Sequence, residues 1–182
     1  MDAEFIAFIG FVIDAEGRTW ENDPDDHGNR GDGSPGNIGT KFGIDAESHP
    51  GIDIVNLTED QARQIYWTEW QAEKVECIPH PADLVYYDDC VNAGETDATR
   101  ILQLSLNSSM GTDLITDGKL GPLTLACAQK ADGKRTAMHM LELRDEHYQW
   151  IAEHNATEAK YLHGWLNRVA DLQNWILGKS IA

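Results

Sequence analysis

The chain has 182 residues, 41% of them hydrophobic and 25% charged, which fits a soluble globular protein large enough for one domain with a real core. Its 31 acidic side chains against 14 basic ones give a formal charge of −17, and no Lys/Arg cluster with interleaved aromatics offsets it, so nucleic-acid binding is not expected. The longest apolar run, Phe5 to Ile13 broken at Gly10, is far shorter than the roughly 20 residues a spanning helix needs, so stable membrane insertion is not expected either.

Residues 3 to 16 read as a helix. Phe5, Ile6, Ile9, Val12 and Ile13 recur at helical spacing, and Gly17 is placed to end it. No Lys or Arg precedes Arg18, and Asp2 and Glu4 sit where a secretory signal carries cations. No signal peptide is therefore expected, and export would need outside help.

From Gly17 to Gly43 the chain is rich in Gly, Asp, Asn and Pro, hence turns and loops. Short strands are expected at "RTW" (18–20) and within "TKFGI" (40–44). Helices then dominate. The stretch 57–74, "LTEDQARQIYWTEWQAEK", opens on Thr58 with Gln61 three residues on, a capping box. "ADLVYYDDCVNA" (82–93) follows Pro81, and another helix starts near Thr96. After a turn at Asp117–Gly118, Pro122 takes the first position of a further helix. Residues 135–154 and 158–177 form two longer closing helices. The sum is a mainly α (α+β) single domain over 1–182, with a small hairpin-and-loop lobe near the N-terminus.

Cys77, Cys90 and Cys127 are an odd number without CxxC spacing, which is no zinc signature. Buried free thiols are expected, with one disulfide plus one free thiol as the alternative. The Asp-rich loop fails as a calcium loop: counted from Asp23, position 5 is His27 and position 12 is Ser34. The seven histidines form no HExxH pair. No metal and no cofactor is expected. Trp150, Trp165 and Trp175 lie at helical spacing among leucines and valines and are expected in the core. Trp20 is either a stacking face for a sugar or a packing residue of the hairpin.

One pattern carries chemistry. Glu16 follows the apolar run and ends its helix. Apolar surroundings and the partial negative charge of a helix C-terminus both favour a protonated carboxyl. Asp25, nine residues on in a hydrated loop, would stay ionised. Two carboxyls in opposite environments suit glycosidic bond cleavage, one as the acid and one as the base or stabiliser. Spacing alone describes an ordinary helix end and a solvated turn more readily, and Asp23 and Asp26 compete with Asp25.

Resemblance adds to this. "EG", then "NDPDD", then "TKFGI" resembles the N-terminal signature of glycoside hydrolase family 108, the bacterial and phage N-acetylmuramidases. "LTEDQARQIYWTEWQ", "LVYYDDCVNAG", "ILQLSLN…TDGKLGPLT" and "LHGWLNRVADL" are similar to later segments of that family, in the same order. The resemblance implies a lysozyme-like fold, with residues 1–100 as the catalytic half and 101–182 as a C-terminal helical lobe with a peptidoglycan-binding-like segment.

It also implies cleavage of the β-1,4 bond between N-acetylmuramic acid and N-acetylglucosamine. Glu16 would be the general acid, with Asp25 and Thr40 positioning the attacking water. Asn92 would reach the substrate cleft, or else serve as a helix cap before Gly94. A monomeric phage endolysin released from the bacterial cytoplasm by a holin, or a virion-carried enzyme, is the implied setting, with peptidoglycan glycan strands as its partner. A lytic transglycosylase and a non-catalytic peptidoglycan-binding or virion structural protein are the alternatives. Two features depart from the family pattern: Arg18 replaces the second glycine of EGG, and the loop 27–39 is expanded. "DGKLGPLT" reads as a tight turn or a glycan contact.

Overall fold

The computed structural model describes Met1 and residues 3–179. Among these residues the chain forms seven α-helices and one two-stranded antiparallel hairpin, so the mainly α, lysozyme-like class read from the sequence is the one observed. It divides into two compact units, Met1–Ala72 and the residues from Glu73 on.

The first unit is built on α1 (Ala3–Glu16) and α2 (Glu59–Ala72). On α1, Phe5, Phe8, Ile9, Val12 and Ile13 are buried, while Ile6 is exposed. Each full burial of such a side chain stabilises by about 1.5–3 kcal/mol. Phe5 meets Trp67 and Trp70 of α2 edge-on, at centroid distances of 4.8 and 5.4 Å. The capping box forms as expected: Gln61 Oε1 accepts from the Thr58 N–H at 2.9 Å, and Thr58 Oγ1 accepts from the Gln61 N–H.

Between the helices, β1 (Thr40–Lys41) and β2 (Ile44–Asp45) pair around the two-residue turn Phe42–Gly43. The "RTW" stretch is not a strand. Only Glu21, just after it, pairs with Thr40 as an isolated bridge. Arg18 and Trp20 instead spend their side chains on other parts of the unit, as described below.

The expanded loop is pinned from inside. The amide of Asn37, 3% exposed, accepts from the Asp32 N–H and donates to the carbonyls of His49 and Ile52. A buried amide with its partners met holds such a loop far better than its composition suggests.

The second unit packs α3 (Ala82–Ala93), α4 (Glu95–Met110), α5 (Pro122–Ala128), α6 (Gly133–His154) and α7 (Leu162–Lys179). Pro122 opens α5, and Asp132 caps α6 by accepting from the Arg135 N–H. The "DGKLGPLT" segment is a turn held by Gln103. Its amide nitrogen donates to Asp117 Oδ1 at 3.0 Å, and its oxygen accepts from the Gly118 N–H at 3.1 Å. Trp150 corrects the core expectation: it is 56% exposed and stacks on His154. Trp165 is half-buried against Tyr148, and Trp175 is half-buried. Cys77, Cys90 and Cys127 are free and half-buried rather than fully buried.

Candidate active site

Glu16 is the last residue of α1. The chain turns there on Gly17 alone, whose φ of +100° suits glycine and whose N–H bonds the Ile13 carbonyl at 3.0 Å. Arg18, where the family has a second glycine, is an ion-pair residue. Its Nε reaches Asp14 at 2.7 Å, and its guanidinium also pairs with Glu59 at the start of α2. Glu59 bonds Arg63 at 2.5 Å as well, and Arg63 donates to the Ile6 carbonyl. The Arg63 hydrogen bond, aided by Arg18, holds the Glu59 carboxyl below its usual range. Arg18 therefore fastens the end of α1 to α2.

The sequence led us to expect Glu16 tucked among apolar side chains. The structure corrects this: Glu16 is exposed, because the buried stripe of α1 ends at Ile13. What stands beside it is the hairpin tip. A Cβ on Gly43 would lie 2.7 Å from Glu16 Cγ and would also collide with the Tyr66 hydroxyl, so both side chains flank the same point. Tyr66, buried on α2, donates to the Phe42 carbonyl at 2.8 Å and so fixes the tip. Phe42 has φ +57° and Gly43 φ +77°, the two positive values of a type I′ turn. Left-handed backbone at a phenylalanine costs about 1–2 kcal/mol. Burial of its ring, 8% exposed, offsets that cost.

The three aspartates that compete for the second role differ in what they hold. Asp23 Oδ1 accepts from the Asp25 N–H at 2.9 Å, and Asp26 Oδ1 from the Gly28 N–H at 2.9 Å, capping the 3₁₀ turn His27–Asn29. Asp25 is exposed, and its carboxylate makes no hydrogen bond or ion pair with the described residues. Thr40, half-buried in β1, donates its hydroxyl proton to Asn29 Oδ1 at 2.7 Å. Its backbone exchanges both hydrogen bonds with Glu21, at 2.8 and 2.9 Å. Trp20 donates to the Ile38 carbonyl at 3.0 Å and lies against Gly39, yet remains 41% exposed. It packs the hairpin and keeps a free face.

Asn92 belongs to the second unit. It neither caps α3, which Gly94 ends, nor stands alone: its amide donates to the Tyr148 hydroxyl at 2.7 Å. That hydroxyl joins a buried cluster. Arg144, 1% exposed, pairs with Asp88 and Asp89, each at 2.9 Å, and Arg168 pairs with Asp88 at 3.0 Å. Burial alone would raise Asp88, but Arg168 and Arg144 outweigh it and hold that carboxyl below the usual range. For Asp89 burial wins and the carboxyl is raised, with Arg144 opposing. The Asp and Arg of two separate sequence motifs, "LVYYDDCVNAG" and "LHGWLNRVADL", thus meet 80 residues apart.

Sequence reasoning missed Asn29 and Tyr66. Ala62, Tyr66 and Trp70 share a four-residue spacing that foretells a buried face, though not where the hydroxyl points. Asn29 gave no signal, since a buried amide in a polar loop reads like a solvated one.

Residues 9–94 of the chain match the family described as Glycosyl hydrolase 108, and residues 97–170 the one described as Predicted Peptidoglycan domain. Among solved structures, one titled "Structure of Brucella abortus SagA" shares the fold with a TM-score of 0.69 at 23% identity, over 96% of this chain and 94% of that one. None of the curated proteins compared is matched. The protein is a glycoside hydrolase that acts on peptidoglycan. The residues that match the Glycosyl hydrolase 108 family, 9–94, carry Glu16, Asp25 and Thr40, and the match to the peptidoglycan domain follows them.

Proposed function

We propose that this hydrolase is an N-acetylmuramidase, cutting the β-1,4 bond between N-acetylmuramic acid and N-acetylglucosamine. The carrying observation is Glu16 at the end of α1, flanked by the Gly43 turn and the Tyr66 hydroxyl, inside the glycosyl hydrolase residues. Glu16 gives its proton to the leaving oxygen as that bond breaks. Asp25 takes a proton from a water attacking the anomeric carbon, and Thr40 helps hold that water. Asp25 is preferred over Asp23 and Asp26 because theirs are the carboxylates already bonded to backbone N–H groups.

Glu16 is exposed in the free protein, so its carboxyl is open to a glycan strand laid over it. A residue pair for holding water supports hydrolysis over the closure of the sugar into a 1,6-anhydro product. The exposed face of Trp20 supports stacking on a sugar ring. The sequence resemblance to phage muramidases supports a monomeric endolysin for host lysis, made in the bacterial cytoplasm and let through to the wall by a holin, or else carried in a virion.

Replacing Glu16 with Gln tests the reading. On purified walls, turnover falls by about 10²–10⁴-fold, with the unfolding midpoint unchanged, and fragment masses carry one added water per cut. Full turnover by Glu16→Gln, or 1,6-anhydro ends in the products, overturns it.

A further inference from the structure

We propose that Asn29, supplied by the expanded loop, is a positioning residue that makes the Thr40 hydroxyl an acceptor toward the attacking water. The inference rests on the muramidase reading above.

Asn29 is 4% exposed, one of few buried polar side chains in the first unit. Its amide works at both ends. Nδ2 donates to the Asp23 carbonyl at 3.0 Å, and Oδ1 takes the Thr40 hydroxyl at 2.7 Å. The orientation follows from chemistry, because a carbonyl can only accept. Asp23 therefore has to face the NH₂ group, and the amide oxygen is left for Thr40. An amide oxygen cannot donate, so Thr40 must. Its one proton is committed inward, and the lone pairs of its oxygen remain for whatever approaches from solvent.

That polarity matters for hydrolysis. The attacking water has to aim a lone pair at the anomeric carbon, which it does when both its protons are occupied. Asp25 accepts one of them and removes it, and Thr40, with its own proton held by Asn29, accepts the other. A freely rotating hydroxyl would donate to the water for part of the time and blunt the lone pair that must attack.

The same side chain fixes the two parts of the site against each other. The Asp23 carbonyl it holds belongs to the residue whose carboxylate bonds the Asp25 N–H. Its backbone carbonyl accepts from the Gly39 N–H at 3.0 Å, immediately before Thr40. Asn29 thus ties the aspartate turn to the strand that carries the hydroxyl.

The test is a double-mutant cycle on soluble, uncrosslinked glycan strands, with Asn29→Ala, Thr40→Val and the pair. We expect Asn29→Ala to lower kcat by about 10- to 100-fold, with KM within about twofold. In the Thr40→Val background the same change should cost less than about threefold more, because its target is gone. Asn29→Asp, which keeps an acceptor for Thr40 but loses the N–H that the Asp23 carbonyl takes, should recover part of the turnover. Effects that multiply in the cycle, a change confined to KM, or an Asn29→Asp enzyme as slow as Asn29→Ala would each overturn the proposal. If Asn29→Ala does not fold, the cycle is run with Asn29→Leu, a side chain of similar size that likewise offers Thr40 no acceptor, with the same loss of kcat expected and the same outcomes overturning the proposal. Glu16→Gln assayed alongside separates the two readings. Should Glu16→Gln keep full turnover, the muramidase site itself is misread; should Glu16→Gln be inactive while the cycle multiplies, only the role of Asn29 is.

Discussion

At the scale of single residues, Gly43 has little freedom. Its φ of +77° disfavours a side chain, and the space a methyl would fill is taken by Glu16 and Tyr66. Gly43→Ala is expected to destabilise the protein by more than about 1 kcal/mol and to slow wall turnover, since Glu16 must move aside. Denaturant unfolding and a turbidity assay on the same preparation check this, and a variant equal to wild type in both would refute it. Glu16 was legible in the sequence because an apolar helix followed by Glu-Gly is a local pattern. Its exposure was not, since it depends on where the buried stripe of α1 ends. Nor could spacing rank Asp23, Asp25 and Asp26. They separate only through the backbone N–H groups that two of them hold, which requires the turn itself.

Among elements, the helices were legible and the strands less so. Thr58 with Gln61 and Pro122 mark helix starts by chemistry confined to a few neighbouring residues. The pairing of Glu21 with Thr40 depends on contacts across the loop, and "RTW" carries no local sign that it stays unpaired. One junction between elements is titratable. His49, after β2, has Nε2 at 2.9 Å from Glu69 on α2 and Nδ1 at 2.8 Å from the Asp45 carbonyl. Both contacts suit the imidazolium. The Glu69 hydrogen bond, with help from Asp45, raises its pKa above the ordinary 6.5, against the opposing effect of burial.

A raised folded-state pKa adds stability that is fully present below the unfolded value and is lost as pH rises through the folded one. Protection of α2 amides against hydrogen exchange, corrected for intrinsic rates, should therefore fall as pH rises above the ordinary imidazole value of 6.5. His49→Gln should flatten that fall. An equal fall in both proteins would remove His49 as its cause.

For the molecule as a whole, the net charge of −17 dominates at long range. Walls bearing anionic teichoic acids repel such a surface, and salt shortens the repulsion to about 8 Å near 0.15 M. Added salt should speed lysis of teichoic-acid-bearing walls and should leave the rate on walls stripped of them nearly level. A matching response on both walls would show that charge does not govern encounter. In the second unit the charge is turned inward: Asp88 and Asp89 face Arg144, and Arg168 completes the set. Composition counts these four as ordinary surface charges. Only the packing of α3, α6 and α7 shows that they are interior, where removing one partner strands the others at a cost of about 3–5 kcal/mol.

The pinned loop has a further consequence. Residues 27–39 hold five glycines and an exposed Arg30, a composition that invites proteases. Cleavage requires the backbone to pull free and thread a protease cleft, and Asn37 clasps it to His49 and Ile52 from within. A protease that meets this enzyme finds its most tempting segment already fastened down.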